Sequence, residues 1–281
     1  MTLEHETTAA LLTRRAKKWA LAGERLVRWQ VSEGFSEPVR AGAPLAYPLY
    51  STRVSLLGGA GHAVFEAGKR HNVALAALAF DGLRLSADRP FSFWRTLGRV
   101  TEARGYRHGM ELSGGCIVPS IGGGLCLLAR VFFQAAVMTG QTILERHGHS
   151  MHAVLPPKGV PLGFDATLLW PYVDLRFAPA AGAVHIATRV KDDALIVTLS
   201  GDAPLQGRFE VAAIDSREVI EAEGRVAYNR LLRRRFDAQG GQVASDVVAV
   251  NRTRLLTSAQ RGRSCLTCEA TQCRSRVVVP A

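Results

Sequence analysis

The stretch Gly122-Gly123-Gly124-Leu125-Cys126-Leu127-Leu128-Ala129-Arg130-Val131-Phe132-Phe133 decides how this chain is read. Three consecutive glycines disfavour any regular element, and they allow positive φ or the close approach of another group. After them Cys126, Leu127, Leu128, Val131, Phe132, Ala135 and Met138 recur at spacings of three and four, which predicts a buried helix ending near Thr139. Cys126 then lies in the first helical turn. Unpaired N–H groups and the positive end of the helix dipole favour a thiolate there. The alternative is a small buried apolar residue at a tight loop-to-helix join.

Working outward, Glu145-Arg146-His147-Gly148-His149-Ser150-Met151-His152 brings three histidines within six positions. A Pro156-Pro157 turn and then Gly163-Phe164-Asp165-Ala166-Thr167 follow. A cysteine at a helix start, a histidine entering a strand and an aspartate entering the next strand form a workable order for a thiol nucleophile, its base and the group that orients the base. The fold expected is α+β: a buried helix after a Gly-rich loop, packed on a mainly antiparallel sheet. By analogy of order, this is how papain-like and transglutaminase-like enzymes arrange their elements.

From about Phe65 to Phe177, roughly two fifths of the chain, the sequence resembles the VanW family, named after a protein of vancomycin-resistance clusters. The matching residues are Phe91-Ser92-Phe93-Trp94, Gly105-Tyr106, Gly122 to Cys126, Glu145 to Ser150, Asp165-Ala166-Thr167 and Asp174-Leu175-Arg176-Phe177. The resemblance implies a bacterial protein associated with the cell envelope or antibiotic resistance, and it supplies no reaction. The family pattern marks Arg146, His147, His149 and Ser150. His147 and His149 share a face of an extended segment and His152 takes the other. His149 is assigned as base, Asp165 as its orienter and Cys126 as nucleophile, with the N–H groups of Gly124 to Cys126 as oxyanion donors. Gly122, Gly123, Gly124, Arg146 and His147 are assigned to substrate binding. Structural alternatives stand beside these roles: Asp165 caps a turn, and Glu145-Arg146 is an ion pair that fixes the loop. The family's usual Gln after the cysteine, and the small hydroxyl residues beyond it, are replaced here by Leu127, Leu128, Ala129 and Arg130.

The chain has 281 residues, enough for one large domain or two small ones. Its net charge of +11 suits anionic partners without naming one. From the first residue to about Ser36 there is no apolar signal region, and no window is long and apolar enough to span a bilayer, so a cytoplasmic location is expected. The same stretch reads as one or two amphipathic helices with a basic face. Such helices are either solvated and packed or laid on an anionic membrane surface. A connector rich in Gly, Ala and Pro follows. The expected organisation is 1–60 (N-terminal helices and connector), 61–225 (core domain) and 226–281 (basic C-terminal segment). Phe91 to Trp94 is read as core packing, and Asn72 to Phe80 as either helix or strand.

Beyond Ile143 strands are expected at 151–155, 166–169, 173–177, 183–188 and 194–199, with Lys191-Asp192-Asp193 as a hairpin turn. Phe209–Ile214 and Glu218–Ala222 are expected to pair across Asp215-Ser216-Arg217. Arg233-Arg234-Arg235 is either a solvated face or a site for an anion. In the tail, Cys265, Cys268 and Cys273 form a C-x2-C-x4-C pattern that suits zinc or an iron–sulfur cluster. Cys116 is the assigned fourth ligand, with Cys126 as the alternative. There is no P-loop, G-x-G-x-x-G, H-E-x-x-H or G-x-S-x-G, so nucleotide-driven chemistry and the common hydrolase motifs find no support. The expected partner is a small or peptide-like substrate, such as a cell-wall precursor, rather than nucleic acid.

Overall fold

The computed structural model describes residues 8–31, 39–40, 42–57, 63–113, 115–152, 156 and 158–257. The elements run α1 (Thr8–Val31), β1 (Val39–Arg40), β2 (Tyr47–Ser55), α2 (Ala63–Phe80), β3 (Leu83–Leu85), β4 (Phe91–Ser92), α3 (Phe93–Leu97), β5 (His108–Ser113), β6 (Cys116–Ile121) and α4 (Cys126–Met138). They continue with β7 (Thr142–Glu145), β8 (Met151–His152), β9 (Arg176–Ala178), β10 (Val184–Lys191), β11 (Ala194–Gly201), β12 (Arg208–Glu221), β13 (Gly224–Phe236) and β14 (Gln242–Leu255). One sheet has the order β1-β3-β10-β11-β2 and a second the order β12-β13-β14-β8. A third is β4-β9-β7, and β5-β6 is a hairpin. Only the β14–β8 pairing is parallel among the described strands. The fold is α+β with mainly antiparallel sheets, as expected.

Helix α4 forms because its apolar residues wrap most of its circumference. Leu128, Ala129, Val131, Phe132, Phe133 and Ala135 to Val137 are all fully buried. Phe132 meets Phe80 at 5.0 Å and Phe91 at 5.1 Å between ring centroids, and Phe91 stacks on Phe177 at 4.5 Å. Each such ring contributes about 2–3 kcal/mol by burial. Phe91, Phe93 and Trp94 are therefore core residues. Asn72 to Phe80 is helical: Phe65, Asn72, Val73, Ala76, Ala77 and Phe80 fall on one buried face of α2.

Several expected elements take another form. Residues 209–222 do not fold back on themselves. They form the single strand β12, both halves of which pair with β13. Asp215-Ser216 is a bulge with Asp215 at φ 52°, and the chain reverses only between Glu221 and Gly224. A boundary at residue 225 would therefore cut a hairpin paired along its length. The strand expected at 166–169 is absent. Its backbone is tied instead by Thr167 N–H to His147 O (2.9 Å) and by an isolated bridge between Leu169 and Val173. The turn at Asp192-Asp193 is present, with both residues at positive φ between β10 and β11. Arg233 points inward, paired with Asp246 at 2.9 Å and donating to Gln141 O at 2.8 Å, so it joins β13 to the chain after α4. No described helix is long and apolar enough to cross a membrane.

Candidate functional site

The glycine loop is shaped by contacts that admit no side chain. Gly122 and Gly124 sit at φ +78° and +102°. A Cβ on Gly123 would come within 2.3 Å of the Gly109 carbonyl carbon, and a Cβ on Gly109 within 2.3 Å of Gly123 O. The two backbones touch directly. Buried Asn72 clamps the same place from α2: its amide donates to Arg107 O at 2.9 Å and Gly123 O at 3.1 Å, and its carbonyl accepts Arg107 N–H at 2.8 Å. The loop delivers half-buried Cys126 as the first residue of α4. The amides of Gly122, Gly123, Leu125 and Leu127 bond to carbonyls of Arg107, Ser120, Gly122 and Gly124. Among the described residues those of Gly124 and Cys126 take no partner. The three expected oxyanion donors thus reduce to two.

His149 and Asp165 come together beside Cys126. His149 Nδ1 lies 3.1 Å from Asp165 Oδ2, and the same oxygen lies 3.0 Å from His152 Nε2. Neither contact is aligned as a hydrogen bond. Burial works to depress His149. Asp165 and the adjoining Cys126 side chain outweigh it and raise the imidazole to about 10. Burial likewise opposes ionisation of Asp165, and its two histidines reverse that, holding the carboxyl well below the ordinary range. The sulfur of Cys126 also lies 3.9 Å from Thr167 Oγ1.

Arg146, expected at the substrate, is held inside the fold. Its side chain is 3% exposed. It donates to Asp165 O at 2.6 Å, Asp165 Oδ1 at 3.1 Å, Asn251 Oδ1 at 2.5 Å and Gly163 O, and it lies over the Phe133 ring. Asn251 in turn donates to Asn229 Oδ1 at 2.7 Å, and Asn229 to Leu162 O at 2.9 Å. The guanidinium thus fixes the Asp165 loop to the β13–β14 sheet. Glu145 pairs elsewhere, with Arg25 of α1 at 2.6 Å and with exposed His147 at 3.1 Å. Residues 146–149 are irregular, so strand alternation does not apply. His149 and His152, expected on opposite faces, converge, and His147 is turned away. The role of His152 was missed because nothing local distinguishes it. Asn72, Asn229 and Asn251 carried no motif at all.

Two cations border the thiol. Arg130 stands one turn beyond Cys126 on the same helix face. The stem of Lys69 passes Gly124 so closely that a Cβ there would meet its Cγ at 2.4 Å. Burial depresses both, with Asp165 opposing the effect at Arg130 and Glu66 at Lys69. Cys116 opens β6, half-buried, and Cys265, Cys268 and Cys273 lie outside the described residues. Among the described residues no group of three or more His, Cys, Asp or Glu side chains is disposed to hold a metal. An open groove of about 240 Å³ runs between β7 and β14, walled by Ile143 to Arg146 and Val247 to Val250. Cys126, His149 and Asp165 are not in its walls.

Residues 68–200 match the family model described as VanW like protein. The chain carries a VanW-like domain. It is 25% identical over 182 residues to the vancomycin B-type resistance protein VanW of Enterococcus faecalis, covering 64% of this chain and 66% of that protein. It is 31% identical over 109 residues to YoaR, an uncharacterized protein of Bacillus subtilis, covering 39% of this chain and 35% of that one. The chain thus spans just under two thirds of the first relative and about one third of the second. No solved structure matches it. The VanW-like domain holds Cys126, His149 and Asp165, whereas Asn229 and Asn251, which brace them, lie beyond its end.

Proposed function

We propose that the VanW-like domain is a thiol-type enzyme that cleaves or transfers an amide or peptide bond, acting on a cell-wall precursor in a vancomycin-resistance-related process. The supporting observation is the seat of His149 between Cys126 and Asp165. The order of thiol-bearing helix, histidine and aspartate carries the papain-like analogy, and the name of the Enterococcus faecalis relative supports the vancomycin-resistance setting. In the proposed reaction the Cys126 thiolate forms a bond to the carbonyl carbon, and the carbonyl π pair moves to oxygen, held by the Gly124 and Cys126 amides. When the tetrahedral species collapses, the C–N bond breaks and protonated His149 gives its proton to the leaving amine, which leaves a thioester. Water, or an acceptor amine for transfer, attacks the thioester. His149 takes the proton of the incoming nucleophile, and the Cys126 thiolate departs. Asp165 keeps the imidazole oriented and charged, while Arg146 and His152 keep Asp165 in place.

Alkylation by iodoacetamide tests this, with the labelled cysteine identified by peptide mapping. Cys126 is expected to react much faster than Cys116, and His149→Ala to slow Cys126 by roughly tenfold or more. Equal rates at Cys126 in the two proteins would remove the catalytic reading.

The partner surface we propose is an anionic membrane. Leu12, Trp19, Leu26 and Val27 form one stripe of α1 and are 43–78% exposed, with exposed Lys17 and Lys18 on the rest of the helix. Cosedimentation with phosphatidylglycerol vesicles is expected, and to be lost in Trp19→Glu. No cosedimentation, or dimerisation through the stripe instead, would reject the membrane. The C-x2-C-x4-C segment keeps its own proposal of a zinc or iron–sulfur centre. Iron, zinc and sulfide analysis of the intact chain against Cys268→Ala decides it.

A further inference from the structure

Arg130 is the cation at this site that the structure leaves without an anion. Asp165, the carboxylate it senses, is already taken. Arg146 holds Oδ1 and the main-chain oxygen, and His149 and His152 share Oδ2. Among the described residues the Arg130 guanidinium makes no hydrogen bond or ion pair, although its residue is only partly exposed. Three other partly or fully buried arginines are each paired: Arg25 with Glu145, Arg146 with Asp165 and Arg233 with Asp246. A guanidinium withdrawn from water and given no internal partner is costly unless something else supplies the acceptor.

Position says what that acceptor faces. Residues four apart on a helix lie above one another, and side chains lean toward the N-terminus. Arg130 therefore reaches back over the turn that begins with Cys126. Lys69, on the other side of Gly124, adds a second positive charge, and the two cations repel each other. The fork of N–H donors on a guanidinium matches a carboxylate in bidentate fashion.

We infer that Arg130 is a substrate-binding residue that anchors a carboxylate group placed next to the scissile carbonyl, so that the site takes peptide-like substrates with a free carboxylate near the reacting bond. This rests on the thiol-enzyme reading and assigns its substrate class. The carboxylate is bound and not transformed.

Paired alkylating reagents test it on the intact chain without knowledge of the natural substrate. Iodoacetate carries the carboxylate and iodoacetamide does not, while both transfer the same kind of carbon to the sulfur with loss of iodide. The quantity read is the ratio of the two rates at Cys126, located by peptide mapping, with Cys116 of the same molecule as the internal reference. The wild-type ratio at Cys126 is expected to exceed that at Cys116. It should fall by roughly tenfold in Arg130→Gln, with Arg130→Lys between them because it keeps the charge and loses the fork. A ratio unchanged in Arg130→Gln, with circular dichroism matching wild type, overturns the inference. Loss of fold in that variant moves the decision to Arg130→Lys, where a ratio equal to wild type overturns it equally. The iodoacetamide rate at Cys126 judges the thiol, and the reagent ratio judges Arg130, so the two readings fail separately.

Discussion

Gly123 and Gly109 meet backbone to backbone, and this contact sets the position of Cys126. Adding a methyl group at Gly123 would drive it into the Gly109 carbonyl, a group that cannot rotate aside. Gly123→Ala is therefore expected to destabilise the chain by about 1–3 kcal/mol, read as a lower midpoint in urea. Gly224→Ala provides the contrast. Nothing lies within 4 Å of its added Cβ, although its φ of +114° still carries a backbone penalty. Asn72 acts on the same loop by other means. Its buried amide makes three hydrogen bonds, so Asn72→Ala would strand the Arg107 and Gly123 carbonyls at about 1–3 kcal/mol. Its effect on Cys126 alkylation should exceed that of equally destabilising changes far from the loop.

Among the elements, α1 lies outside the matched domain yet is fastened to the site's surroundings. Arg25 donates to both Glu145 oxygens at 2.8 and 2.6 Å, and Trp29 packs edge-on to Trp170 at 5.6 Å. Glu145 also accepts the Asp174 N–H at 3.2 Å. Arg25→Ala leaves this carboxylate short of its charge partner, and a loss of about 2 kcal/mol is expected by chemical denaturation. Among the described residues the opposite stripe of α1 has no such contacts, and for that reason Trp19→Glu should leave stability unchanged while abolishing vesicle binding.

At the scale of the whole molecule, stability should depend on pH through two buried groups. Burial raises Asp174 to about 6, against hydrogen bonds from Ser92, Trp94 and Leu175 that favour its ionised form. A carboxyl raised on folding binds its proton more tightly in the folded state. Its contribution is therefore full below the unfolded value near 4 and lost as pH rises through 6, on the order of 3 kcal/mol. Asp174→Asn should flatten that part of the stability curve. The raised His149 stabilises the fold fully below its unfolded value, and that contribution is lost as pH climbs toward 10. The alkaline fall in melting temperature should be smaller in His149→Ala; an identical fall in both proteins would contradict the assigned contact with Asp165.

What the sequence determined alone was local. The periodicity from Cys126 to Met138, the glycine triplet before it and the alternation around Asp192-Asp193 each act over a few residues, so helix α4, the place of Cys126 and the β10–β11 hairpin were legible. The choice of Cys126, His149 and Asp165 as one group also came from the sequence, through their order and the VanW motifs. Tertiary structure decided the rest. Arg146 finds Asn251 105 residues away, and Arg25 finds Glu145 120 residues away, contacts that no local pattern encodes. The convergence of His152 on Asp165 follows from an irregular backbone in which alternation fails. The orphaned charge of Arg130 is visible only once every neighbouring carboxylate has been assigned its partner, because a missing contact is a property of the packed molecule and not of any segment.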